Sequence, residues 1–198
     1  NPALAFAKIT EDWLKWAEET KARKFIIGLS GGKDSSIVAA LATKIFGAEK
    51  VIGVFMPNGE INHEDMTIIN SLITDLKIKN LIMNINDVNK DLLSELERQC
   101  IYVLEDTKVN LPARIRMTLL YAIAQSFNAR VICTGNLSEN MIGYSTIYGD
   151  HAGAYAPIAD LTVQEVIQLG EWLGLDKKYT RKIPTDGLCG QTDEDKLG

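Results

Sequence analysis

Residues 24–36, Lys-Phe-Ile-Ile-Gly-Leu-Ser-Gly-Gly-Lys-Asp-Ser-Ser, read as an apolar strand that breaks at Ser30-Gly31-Gly32 and restarts as a helix. Two consecutive glycines let the backbone take positive φ and approach a ligand with no Cβ in the way. The helix behind them adds free N–H groups and the positive end of its dipole, so the turn suits a polyphosphate. Asp34 would repel a bare anion, but with a divalent cation bridging carboxylate and phosphate oxygens the repulsion becomes attraction, and a metal is implied. The plainer reading, a Gly-Gly turn with Asp34, Ser35 and Ser36 capping a helix, accounts for the residues singly. A Walker loop is disfavoured, because from Gly28 the second glycine falls one residue early and Asp34 stands where a hydroxyl should follow the lysine. No G-x-G-x-x-G follows the strand, so a dinucleotide fingerprint is missing as well.

Working outward, β-type and helical patterns alternate along the chain, which predicts a doubly wound parallel α/β sheet with helices on both faces. Strands are expected at about 24–29, 50–56, 80–85 and 130–134, and helices at about 3–20, 34–46, 62–77, 90–105, 112–128 and 162–174. The 198 residues suit one domain, residues 1–198, with no repeat or interdomain linker. Ligands in open α/β sheets bind beyond the carboxyl ends of the strands, where both Ser30-Gly31-Gly32 and Thr134-Gly135-Asn136 fall. Trp13 and Trp16, three apart on the first helix, are read as packing residues.

Composition narrows the partners. A formal charge of −5 is poorly suited to a polyanion, so nucleic acid is not expected. The apolar runs are strand-sized and no signal peptide is evident, so a membrane is not expected either. Cys100, Cys133 and Cys189 are few, scattered and free of any C-x-x-C pair, which fits reduced thiols in the cytoplasm. His63 and His151 lack metal spacing and take no role.

The S-G-G-x-D-S-S signature resembles that of the ATP pyrophosphatases, the PP-loop enzymes of the adenine nucleotide alpha hydrolase-like fold. Downstream, Asn110-Leu-Pro-Ala-Arg114-Ile-Arg116-Met117, Thr134-Gly-Asn-Leu-Ser-Glu139, Gly143-Tyr-Ser-Thr-Ile-Tyr-Gly149-Asp150 and Gly190-Gln-Thr-Asp-Glu-Asp-Lys-Leu-Gly198 follow in order. Together they resemble the ammonia-dependent NAD synthetases from the first strand to the last residue. The resemblance implies a ligase that amidates deamido-NAD to NAD with ATP and ammonia through an acyl adenylate, releasing AMP and pyrophosphate. It also implies Mg²⁺, ATP as co-substrate and a homodimer. With no amidotransferase pattern before residue 24, free ammonia is the expected nitrogen donor. The alternatives are another PP-loop enzyme adenylating a different acceptor, or an ATP-binding module with reduced turnover.

Carried over position by position, the resemblance puts Gly28, Leu29, Ser30, Gly31, Gly32, Lys33, Asp34, Ser35 and Ser36 around ATP, joined by Thr134 and Thr185. Asp34 and Glu139 match the magnesium ligands and, with Thr185, the catalytic set. Arg114, Ile147, Asp150 and Ala154 fall on the deamido-NAD positions. Ile147 and Ala154 depart from the Lys and Asp common there, and Val163 stands where a phosphate-binding lysine is usual, a role that Lys33 or Lys178 could fill. The His-Lys pair of the family's C-terminal tail is absent from the 198 residues, so the tail is expected to be missing from this chain.

Overall fold

The computed structural model describes residues 1–61 and 63–181. In chain order they form α1 (Pro2–Glu19), β1 (Phe25–Leu29), α2 (Lys33–Phe46), β2 (Val51–Phe55), α3 (His63–Leu76), β3 (Lys79–Ile82) and α4 (Asn86–Arg98). There follow α5 (Glu105–Ser126), β4 (Arg130–Ile132), α6 (Leu137–Ile142), α7 (Val163–Trp172) and α8 (Lys177–Thr180). The four strands are parallel in the order β3-β2-β1-β4, so β1 sits inside the sheet with β2 on one side and β4 on the other.

Alternation along the strands decides which face each side chain covers. Phe25, Ile27 and Leu29 of β1 join Val51 and Phe55 of β2 in a core completed by α1, α2, α3 and α7. Ile26, Ile52 and Val54 point the other way, into a second core closed by Ile115 and Ala124 of α5. Helices on both faces are thus what a sheet apolar on both faces requires.

Helix α2 is buried along most of its length, with Ile37 through Leu41 inside. Its small residues let neighbours come close. At Gly170 of α7 an added Cβ would stand 2.8 Å from the Ile37 side chain and 2.8 Å from Thr180, so nothing larger fits that crossing. Trp13 of α1 is fully buried and packs edge-on against Phe25 and Phe46, while Trp16 stacks on Tyr155 with ring centroids 4.9 Å apart. Both indoles are packing residues, as their spacing suggested.

Two helix boundaries differ from the expectation. The helix placed at 90–105 spans Asn86–Arg98, and the one placed at 112–128 begins at Glu105 and runs through Pro112. Pro112 removes one backbone bond without ending the helix, because its buried ring and the neighbouring Ala113 are fixed by packing. Beyond β4, Ala154 N donates to Val131 O at 2.8 Å and Cys133 N donates to Tyr155 O at 2.8 Å, so the chain returns along the outer edge of β4.

Candidate active site

The register sets the site. Ile27 of β1 pairs with Ile132 of β4, so Ser30 and Gly135, each three residues further on, leave the sheet at the same level. Gly31 takes φ 80°, the left-handed turn that a glycine accommodates at little cost, and Gly32 caps α2 without a side chain. Ser30 Oγ accepts from Gly32 N at 3.1 Å and lies 3.2 Å from Ser35 Oγ, while Ser30 N donates to Ser35 Oγ at 3.3 Å. Ser35 and Ser36 both donate to Gly32 O, at 3.2 and 2.8 Å. The loop is therefore held by its own hydroxyls. Ser36 is fully buried with its hydroxyl turned to that carbonyl, Leu29 has its side chain in the core, and Gly28 lies within β1 under Leu120 and Met56.

Lys33 and Asp34 open α2. Lys33 Nζ lies 3.1 Å from Asp34 Oδ2, and both side chains are largely buried. From β4, Thr134 and Gly135 lead to Asn136, which caps α6: its side chain accepts from Glu139 N at 3.0 Å, and Asn136 N donates to Glu139 Oε2 at 3.0 Å. Asn136 Nδ2 also donates to Asp34 Oδ1 at 3.2 Å, tying the two loops together. Burial pushes the Glu139 carboxyl from 4.5 up to about 7, and the nearby Asp34 adds to the rise, against the opposing backbone bond from Asn136.

That rise has a measurable consequence. A carboxyl lifted from 4.5 to about 7 makes its charged form costly by on the order of 3 kcal/mol. The folded pKa lies above the unfolded one, so its contribution to stability is full below 4.5 and is lost as pH rises through 7. In EDTA, denaturant titrations from pH 4.5 to 8 are expected to show wild-type stability falling relative to Glu139→Gln. Parallel curves would refute the shift.

The acceptor-side residues gather on α5 and the connection from α6 to α7. Arg114 Nε donates to Ile147 O at 3.2 Å, Thr146 N donates to Asp150 Oδ1 at 2.7 Å, and Thr146 Oγ1 donates to Asn110 Oδ1 at 2.7 Å. Ala154 is exposed on the β4 edge, and the Ile147 side chain is 66 % exposed. Thr185 lies outside the described residues. Val163 begins α7 with its N–H donating to Ser138 Oγ at 3.2 Å, beside the Glu139 helix. Of the two lysines offered as substitutes, Lys33 is at the site, whereas Lys178 Nζ donates to Ser71 Oγ on α3 and lies over the Tyr179 ring.

Two polar residues escaped the sequence reading. Asn136 belonged to a quoted motif, and the capping-box spacing to Glu139 was there to be read, but its bond to Asp34 was not. Arg116 is the other. Its Nε donates to Met56 O at 2.9 Å, at the carboxyl end of β2, and no carboxylate among the described residues pairs with it. Burial lowers its pKa. Asp150 acts on it in the opposite sense, and the half-buried guanidinium, held by a neutral carbonyl, suits an incoming anion.

No group of three or more His, Cys, Asp or Glu among the described residues could hold a metal by itself. Asp34 and Glu139 are two hard oxygen donors joined through Asn136, by its side-chain NH₂ and its backbone N–H respectively, a set that fits Mg²⁺ if phosphate oxygens and water supply the rest of the shell.

Comparison with known proteins agrees along the whole chain. The family model described as NAD synthase matches residues 6–198. The NH(3)-dependent NAD(+) synthetase of Pyrococcus furiosus is 37% identical over 198 residues, 98% of this chain and 74% of that protein. Among solved structures, NMN synthetase from Francisella tularensis superposes with a TM-score of 0.90 at 35% identity, covering 100% of this chain and 81% of that one. The NH3-dependent NAD synthetase from Campylobacter jejuni gives 0.85 at 30% identity, covering 92% and 77%.

Proposed function

The chain belongs to the NAD synthase family, and from that premise we propose how its site carries out the reaction. The enzyme is a ligase that amidates deamido-NAD to NAD with ATP and ammonia. What supports the assignment of roles is the bond between Asn136 and Asp34, which brings the polyphosphate loop of β1 to the Glu139 loop of β4.

In this reading the N–H group of Gly31 and those at the start of α2 receive the ATP phosphates, and Lys33 adds a cation to them. Asp34 and Glu139 hold Mg²⁺, which when bound neutralises the pyrophosphate as it leaves. The nicotinate carboxylate attacks the α-phosphate, pyrophosphate departs, and ammonia then displaces AMP from the acyl adenylate. Thr134 contacts ATP, while Arg114, with Asp150, orients the acceptor so that the carboxylate lies in line. The exposed apolar side chains Ile101, Tyr102 and Leu104, which lead into α5, together with Tyr121 on it, are the face on which we place a second copy, giving a homodimer. No helix among the described residues is long and apolar enough to cross a membrane, and we place the enzyme in the cytoplasm.

Another PP-loop acceptor, or a nucleotide module with reduced turnover, is not favoured, since the family match runs through every downstream motif. A second reading concerns the size of the acceptor. The NMN synthetase likeness, and the apolar Ile147 and Ala154 at positions where a charged pair would hold the dinucleotide, favour a mononucleotide carboxylate.

One assay decides both points. With ATP and ammonium, the purified chain is expected to form NAD from deamido-NAD, and with glutamine in place of ammonium product should fall to background. Efficient glutamine use would refute the donor assignment. A higher kcat/KM for nicotinate mononucleotide than for deamido-NAD would replace the first reading of the acceptor with the second.

A further inference from the structure

We propose that Asn136 is a positioning residue that sets the two metal-binding carboxylates, Asp34 and Glu139, at a fixed separation before the cation arrives. The inference rests on the reading of those two residues as the Mg²⁺ ligands.

Asn136 is fully buried, and its polar groups are all engaged. Its backbone N–H holds Glu139 Oε2, its side-chain oxygen accepts from Glu139 N, its side-chain NH₂ holds Asp34 Oδ1, and its carbonyl accepts from Asn140 N at 3.1 Å. Helix capping by itself does not call for asparagine, because serine or aspartate caps as well. What asparagine adds is a donor on the same side chain as the capping acceptor, and that donor reaches a carboxylate 102 residues away.

The need for it is electrostatic. Two buried carboxylates without a cation repel, and each would swing away if free to rotate. Asp34 is pinned at both oxygens, Oδ1 by Asn136 and Oδ2 by Lys33, while Glu139 is pinned at Oε2 and its Oε1 carries no hydrogen bond among the described residues. An arriving ion meets a fixed Oε1 and the remaining lone pairs of Asp34. Ordering the ligands beforehand removes a cost that binding would otherwise bear, as hydrogen-bond partners of metal ligands do elsewhere.

The test is direct binding of Mn²⁺ in the presence of α,β-methylene-ATP, followed by the electron paramagnetic resonance of the free ion. Asn136→Ser keeps the cap and loses the donor. It is expected to weaken Mn²⁺ binding ~10-fold, and to raise the Mg²⁺ needed for half-maximal turnover by a similar factor, while kcat at saturating Mg²⁺ changes far less. Mn²⁺ binding equal to wild type overturns the proposal.

If Asn136→Ser does not fold, Asn136→Asp decides. It keeps the shape and the cap but turns a carboxylate toward Asp34, so Tm should drop by ~2–4 °C in EDTA and recover when Mg²⁺ and the analogue are added. A deficit equal in both conditions overturns the proposal. Glu139→Gln is the control for the underlying reading: if it binds Mn²⁺ like wild type, the ligand assignment itself has failed and the inference falls with it. If Glu139→Gln weakens binding and Asn136→Ser does not, the inference alone is wrong.

Discussion

Asp34→Asn and Glu139→Gln are each expected to lower kcat by ~10²-fold or more, because each removes a charge from the shell that neutralises the departing pyrophosphate. Their effects on stability should differ. Glu139→Gln removes a carboxyl whose burial already holds its pKa near 7, so at pH 8 the variant should unfold no earlier than wild type. Asp34→Asn leaves Lys33, whose side chain is 9% exposed, without its partner 3.1 Å away, and should cost on the order of 3 kcal/mol. Pyrophosphate release and thermal melts on the same preparations check both halves. Near wild-type turnover in both variants at saturating Mg²⁺ would remove the metal assignment.

The second large effect is expected at Arg116. Its half-buried guanidinium is held by a neutral carbonyl, and its partial desolvation, only in part offset by Asp150, costs free energy that an anion arriving beside it recovers. Arg116→Met keeps the packed stem and removes the charge. Losing the bond to Met56 O offsets part of the gain, so the melting temperature should hold or rise. Meanwhile kcat/KM for ATP should fall by ~10- to 10²-fold, the range of a charge-assisted contact of about 1.5–3 kcal/mol. ATP is the anion named because Met56 directly follows β2, which pairs with β1, and its side chain lies near Gly28. A variant that melts earlier and keeps its KM for ATP would show Arg116 to be structural.

Opposite signs of stability and activity at one residue would also explain why such groups are hard to find by reading. Arg114 and Arg116 lie two apart on α5 and so face different ways, one exposed toward the Ile147 carbonyl and one half-buried against the Met56 carbonyl. Nothing in the motif distinguishes them. The strands, by contrast, were plain: Val51–Phe55 and Phe25–Leu29 are short apolar runs between turn signals, and their pairing in parallel follows from the helices that separate them. Helix ends were less so. Asn86 and Asp87 look like turn residues yet begin α4, since Ile85 is buried and its N–H donates to Pro57 O, fixing the start of the helix there. The two loop motifs could be placed at strand ends from sequence, but that β4 is the neighbour of β1 is a property of strand order. The Asn136–Asp34 bond became visible only with it.

That strand order also governs when the site can come into being. The loop at Ser30 is synthesised before β4, Asn136 follows Asp34 by 102 residues, and β4 can dock on β1 only after all the residues between them have been made. A growing chain therefore carries half a nucleotide site beside an open strand edge, and contacts of such long sequence separation are slow to close. Nucleotide with Mg²⁺ should accordingly bind only once β4 has docked on β1, which makes ligand binding a reporter of that pairing during refolding.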